Sequence, residues 1–129
     1  MSKYSKPSIL REKSMDFAVL IIELADALSE NRKNYRLADQ IIRSGTSIGA
    51  NIREAGSAES SADFVHKLGI AQKECDETIY WLELLKQSER ISEQVSIDYS
   101  AKASELLVMI KSSILTAKGR RPSVSRETR

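Results

Sequence analysis

Apolar residues recur along this chain at helical spacing, in four blocks separated by short polar stretches. The third block is the most regular. Phe64, Leu68, Ala71, Cys75, Thr78, Leu82 and Leu85 follow one another at intervals of 4, 3, 4, 3, 4 and 3 residues, a seam that stays on one face of a helix over three heptads. Val65, Ile79, Trp81 and Leu84 flank it. The opposite face is dense in charge, and Asp63–Lys67 and Lys73–Glu77 place opposite signs four residues apart, as a solvated face requires. The pattern predicts a helix over 61–88. Ser57 or Ser60 can cap it, and Ser60-Ser61-Ala62-Asp63 resembles a capping box with a shorter acid.

In the second block, Leu37, Ile41, Gly45, Ile48 and Ile52 form one stripe and predict a helix over 35–55. A glycine inside a helix costs about 1 kcal/mol relative to alanine. Gly45 and Gly49 must offset that through packing, by letting another backbone come close. Arg43, Asn51, Arg53 and Glu54 surround this GxxxG spacing, which excludes a membrane helix. No strand precedes it and no Gly-Lys-Ser/Thr follows, so a phosphate-cradling loop is also set aside. Asn51 lies beside Ile52 at the edge of the stripe. It is a candidate for fixing register or oligomer state through a buried partner, or for an ordinary hydrogen bond.

The first block carries Phe17, Ile21, Leu24 and Leu28 on one face, widened by Ala18, Val19, Leu20, Ile22 and Ala25. It predicts a helix over 9–31, capped by Ser8. So wide an apolar face needs two buried sides. The second side implies a subunit contact, or else a helix central to a monomeric core. The fourth block, Tyr99, Ala103, Leu106, Ile110 and Ala117 with Leu107, Ile114 and Leu115, predicts a helix capped by Ser92 or Ser96 and ending near Ala117, where Gly119 and Pro122 stop it. The links at 31–34 and 89–93 are short, which makes successive helices antiparallel. The expected fold is all-α, an antiparallel up-down four-helix bundle over 9–117, between a flexible arm (1–8) and a basic disordered tail (118–129).

At 129 residues the chain is one domain. No run of 18 residues is free of charge, so nothing is expected to span a membrane. The N-terminus lacks the pattern of a signal peptide. A single cysteine excludes an intrachain disulfide and fits a reducing compartment, so a cytoplasmic location is expected. The net charge is +2, unevenly spread: Lys118, Arg120, Arg121, Arg126 and Arg129 against Glu127 make the tail +4 and leave the rest near neutral. These five cations are the candidates for contact with RNA or DNA phosphates, against the plainer reading of a solubilising end.

Catalytic chemistry finds little to build on. There is one histidine, so an acid–base pair would need carboxylates or lysines. Asp63-Phe64-Val65-His66 supplies one carboxylate-x-x-His pair where a di-metal bundle needs two. Glu59, Asp63 and His66 form a candidate metal face, competing with a solvated charged surface. Cys75 sits in the seam and reads as a core residue. No cofactor is expected.

The order Arg43-Ser44-Gly45-Thr46-Ser47-Ile48-Gly49-Ala50-Asn51-Ile52-Arg53-Glu54-Ala55, then Ala58-Glu59-Ser60, Asp63 to Leu68, Ala71, Lys73-Glu74, Glu77-Thr78 and Tyr80 to Leu85, resembles the small bundle proteins first noticed as products of intervening sequences in bacterial 23S ribosomal RNA genes. The match covers the second and third helices closely and the outer two by pattern. The resemblance implies a ring-like homopentamer of antiparallel four-helix bundles without enzymatic activity. A related branch, the accessory variability proteins of diversity-generating retroelements, is basic and binds nucleic acid and a reverse transcriptase. The near-neutral body of this chain departs from that branch, which leaves the tail as the nucleic-acid candidate. The function expected is a non-enzymatic oligomeric scaffold with RNA, DNA or a protein as partner. The alternatives are a protein-only adaptor of a mobile element and a metal-binding bundle enzyme. Gly45, Gly49, Asn51, Ile52, Phe64 and Trp81 are the expected packing or subunit contacts.

Overall fold

The computed structural model describes residues 8–119. It consists of α1 (Ser8–Leu28), a 3-10 turn at Arg32–Asn34, α2 (Tyr35–Ala55), α3 (Ser61–Gln87) and α4 (Glu93–Ala117). Of the arm expected over 1–8 only Ser8 is described, and it opens α1; of the tail expected over 118–129 only Lys118 and Gly119 are, just after α4. Each helix packs along its neighbour in sequence, and α1 meets α4 in the least extensive of the four seams. Cross-helix contacts show that neighbours run antiparallel. In the closing seam, Lys13 pairs with Glu105 at 3.2 Å, and the Tyr99 hydroxyl donates to the Leu20 carbonyl at 3.2 Å.

Side-chain caps set the helix ends. Ser60 accepts from the Asp63 amide at 3.0 Å, and Ser92 accepts from the Val95 amide at 3.1 Å, each satisfying a donor of the first turn. Ser96, the other cap candidate for α4, is buried inside the helix instead. α1 stops at Leu28, three residues before the expected end. Asn31 adopts an extended backbone and accepts from the Lys33 amide, and Asn34 Nδ2 donates to the Leu28 carbonyl at 3.2 Å. Both asparagines compete with the helix for backbone partners, which the apolar period does not register. α3 closes with Glu89 at φ 61°, while the Arg90 amide donates to the Leu85 carbonyl at 2.8 Å. This left-handed cap ordinarily carries glycine.

All seven seam residues of α3 are buried, as are Ile41, Ile48 and Ile52 of α2 and Phe17, Ile21, Leu24 and Leu28 of α1. Polar groups inside are matched. Ser14 Oγ donates to the Arg11 carbonyl at 3.0 Å. The Ser44 and Thr78 hydroxyls share a 2.9 Å hydrogen bond across the α2–α3 seam. Each also lies against a carbonyl of its own helix, Ile41 at 3.4 Å and Glu74 at 2.8 Å.

The small residues of α2 set its distance from α1. A Cβ on Gly45 would stand 2.8 Å from both Cγ atoms of Ile21, a β-branched side chain with no exposure and little rotamer freedom. At Gly49 the nearest atoms, Ser14 Oγ and O, are at 3.3 and 3.4 Å. Gly45→Ala should therefore destabilise the fold by about 1–3 kcal/mol, overpacking outweighing the gain in helix propensity. Gly49→Ala should lie within about 1 kcal/mol of wild type. Equilibrium denaturation of the two variants measures the contrast.

On the α3–α4 seam, Cys75 Sγ donates to the Ala103 carbonyl at 3.1 Å. Burial, aided by the negative charge of Asp76, pushes its thiol up to about 12. At pH 8 that leaves a thiolate fraction of about 10⁻⁴. A disulfide reagent such as DTNB should label Cys75 only as the chain opens, at least about a hundredfold more slowly than in denaturant. Equal rates would show that the seam does not hold the thiol.

Candidate interaction surfaces

The core accounts for one face of α1 and leaves another bare. Met15, Val19 and Ile22 repeat at intervals of 4 and 3 on the side opposite Phe17, Ile21 and Leu24, and all three are exposed, Val19 to 48%. Met15 lines a cleft of about 410 Å³ with Arg11, Glu12, Asp16 and Arg53, so this stripe leans toward α2. A second bare stripe runs down α4. Ile97 and Val108 are 54% and 67% exposed. Ala101 and Ser104 continue the spacing between them, and half-buried Leu115 lies beyond. Tyr99, which reaches α1, stands on the other side of that helix, whereas Glu105, paired with Lys13, borders the stripe one turn from Ala101 and Val108. Each apolar stripe thus lies on the side of its helix away from the buried residues, Phe17, Ile21 and Leu24 on α1 and Ala103, Leu106 and Ile110 on α4. The wide face of α1 was visible in the apolar pattern; the α4 stripe was not, because its small and polar members, Ala101 and Ser104, conceal the period.

The residues singled out from sequence are distributed among different roles. Gly45, Ile52 and Phe64 are buried, and half-buried Gly49 is packed between helices. Asn51 Nδ2 donates to the Ser47 carbonyl one turn back at 2.9 Å, a bond within α2 rather than across helices. Lys118 is exposed at the C-terminal cap of α4. Arg120, Arg121, Arg126 and Arg129 lie outside the described residues. Glu59 and His66 are exposed and Asp63 is half-buried. Among the described residues no group of three or more His, Cys, Asp or Glu side chains is placed to hold a metal. Nor, among them, is any helix long and apolar enough to cross a membrane.

Trp81 is half-buried at the α2–α3 seam. Its Nε1 donates to Glu77 Oε2 at 3.0 Å, and its ring meets Tyr80 edge-on, with centroids 5.1 Å apart. Glu77 also pairs with Arg43, whose Nη1 reaches Glu74 at 3.2 Å. One arginine thus bridges two carboxylates and, through Glu77, positions the indole. Lys67 pairs with Glu54 at 2.8 Å further along the seam, and that hydrogen bond and charge raise its pKa above the ordinary lysine value. The Tyr99 phenol is also raised, by burial first and by the Glu23 charge second. Tyr99 therefore stays a neutral donor to Leu20 well above physiological pH. Arg43, Lys67 and Tyr99 are each engaged in joining two helices.

Known proteins place this architecture. No curated protein matches the chain. A crystal structure of a protein of unknown function from the S23 ribosomal protein family of Bacteroides thetaiotaomicron VPI-5482 is similar to it, with a TM-score of 0.80 and 46% identity over 81% of this chain and 97% of that one. The profile of the family described as 23S rRNA-intervening sequence protein matches residues 6–112, which takes in nearly the whole bundle. The four antiparallel helices, the small-residue segment of α2 and the seam of α3 are thus those of a member, and the chain belongs to the 23S rRNA-intervening sequence protein family.

Proposed function

We propose that this chain is a non-enzymatic building block of a closed homo-oligomeric scaffold that works through its surfaces. One observation supports this above others: two apolar stripes, Met15-Val19-Ile22 on α1 and Ile97-Val108 on α4, lie exposed on different helices. Scattered apolar residues are ordinary on a surface, but aligned stripes mark contact sites. Two different stripes on one chain fit a head-to-tail contact, in which α1 of one copy meets α4 of the next. Such contacts close into rings when the rotation per subunit allows. Five subunits is the number implied by the family resemblance. The scaffold's further partner is RNA or DNA, or a protein. The +4 charge from Lys118 onward supports a nucleic acid, since several weak phosphate contacts on one ring would act together through avidity.

A head-to-tail interface has a distinctive genetic logic. Val19→Glu should abolish the α1 face and Val108→Glu the α4 face, each converting the oligomer to monomer without unfolding it. Mixed together, the two variants still hold one intact face each and should form a dimer. Light-scattering masses of the wild type, both variants and the mixture test this. A monomeric wild type, or a Val108→Glu variant that stays oligomeric, would sink the head-to-tail reading.

A further inference from the structure

The charge of the described bundle is unevenly spread. Residues 8–119 carry fourteen Lys and Arg against seventeen Asp and Glu. The two links and the adjoining helix turns at one end of the bundle, residues 25–38 and 84–96, hold five of those cations, Arg32, Lys33, Arg36, Lys86 and Arg90, and four acids, Asp26, Glu30, Glu89 and Glu93. That end is therefore +1 on a body that is otherwise −4. Among the described residues none of the five cations is ion-paired, whereas Lys13, Arg43 and Lys67 along the bundle are. Clustered, unneutralised cations hold condensed anions and attract polyanions.

Two features make this end more than a set of surface lysines. Arg90 is held in place: the left-handed turn at Glu89 directs it to Asn34, where its Nε donates to Oδ1 at 2.8 Å. Asn34 is itself buried and anchored to the Leu28 carbonyl. Nη1 lies 3.4 Å from the Ser88 carbonyl, and Nη2 makes no hydrogen bond among the described residues. Beside this guanidinium is a recess of about 400 Å³, walled by Leu24, Leu28, Ile91 and Val95 and with Glu30 among its polar lining. The second feature is Tyr35, 48% exposed and set between Lys33 and Arg36 in sequence. Cations interleaved with an exposed aromatic ring, next to an apolar recess with one fixed arginine, match what an unpaired polynucleotide offers: regularly spaced phosphates and bases free to stack. A duplex offers the phosphates and withholds the bases.

We propose that this end of the bundle binds single-stranded nucleic acid. Arg32, Lys33 and Arg36 take phosphates, Tyr35 stacks a base, and the recess beside Arg90 admits an unstacked base. The inference shares with the functional reading above only the class of ligand. It places the contact at the opposite end from Lys118, since Ser61 Oγ donates to the Ala117 carbonyl at 3.3 Å and α2, about 30 Å long, lies between.

The test is fluorescence anisotropy of short labelled oligo(U), oligo(dT) and a duplex of equal length, over a series of salt concentrations, with the full chain. The combined variant Arg32→Ala, Lys33→Ala, Arg36→Ala should lose about tenfold or more in affinity, and its salt slope should fall by about two. Tyr35→Ala should lose at least about fivefold on single strands and little on the duplex. Glu30→Gln should bind more tightly than wild type. A chain ending at Ala117 should keep its dependence on Tyr35. Unchanged affinity and slope in the triple variant would overturn the proposal, as would no binding by wild type at low salt. Equal displacement by polyglutamate would also overturn it, showing attraction to charge alone. Light scattering on the same samples separates this from assembly: a monomeric wild type would lower all affinities together, while the differences between variants would persist.

Discussion

The contact between Ile21 and Gly45 is the point on which the packing of this bundle turns. Ile21 is β-branched and fully buried, so its two Cγ atoms occupy the space a side chain at position 45 would need. With hydrogen there, α1 and α2 come close enough for Gly49 to lie against Ser14. On the other side of α2, Ser44 meets Thr78 through a single hydrogen bond. α2 is thus the thin member of the bundle, and α1 and α3 approach it from either side. Interdigitation of this kind is steep in energy because close-packed interiors do not deform smoothly. The orientation of α1, and with it the direction in which its bare stripe points, follows from this one approach.

Much of this was legible in the chain before any coordinates. The seam of α3 emerged residue for residue, because a helix with one buried face and one charged face writes its period directly into the order of side chains. Gly45 was legible as a close approach, since an interior glycine without a turn has few other reasons to be there. The buried hydroxyls were not. Ser14, Ser44 and Ser96 count as polar in any apolar pattern, yet all three are buried, Ser14 and Ser44 at little expense because their hydroxyls bond within their own turn or to a neighbour. The clasp between Asn34 and Arg90 joins residues 56 apart in sequence and leaves no periodic trace. Asn51 Nδ2 donates one turn back in its own helix, an ordinary hydrogen bond that its place at the edge of the stripe allowed as well as a cross-helix one. Polar specificity depends on pairs, and a single chain read in order displays only singles.

Membership of the 23S rRNA-intervening sequence protein family settles the architecture and leaves the chemistry of recognition to the surface. Here the surface is organised by direction. Apolar stripes occupy two flanks along the length of the bundle, while positive charge gathers at one end. Contacts along the flanks and contacts at the end do not compete for the same residues. A subunit built this way could add neighbours sideways and still present its basic end, repeated once per copy, to a common ligand. Charge asymmetry of this kind also orients encounters over a distance set by the Debye length, before any contact forms.

The seam between α1 and α4 is the least extensive of the four, held on its outer side by the Lys13–Glu105 pair and the Tyr99–Leu20 hydrogen bond. An exposed ion pair contributes little, so this line is where the molecule yields first. The other three seams each join helices adjacent in sequence, so the chain can fold as successive helical hairpins with little loop-closure entropy. Closure of α4 onto α1 is the one long-range step. Native-state fluctuations should therefore open the bundle like a hinged book, with amide exchange along that edge faster than in the α2–α3 interior.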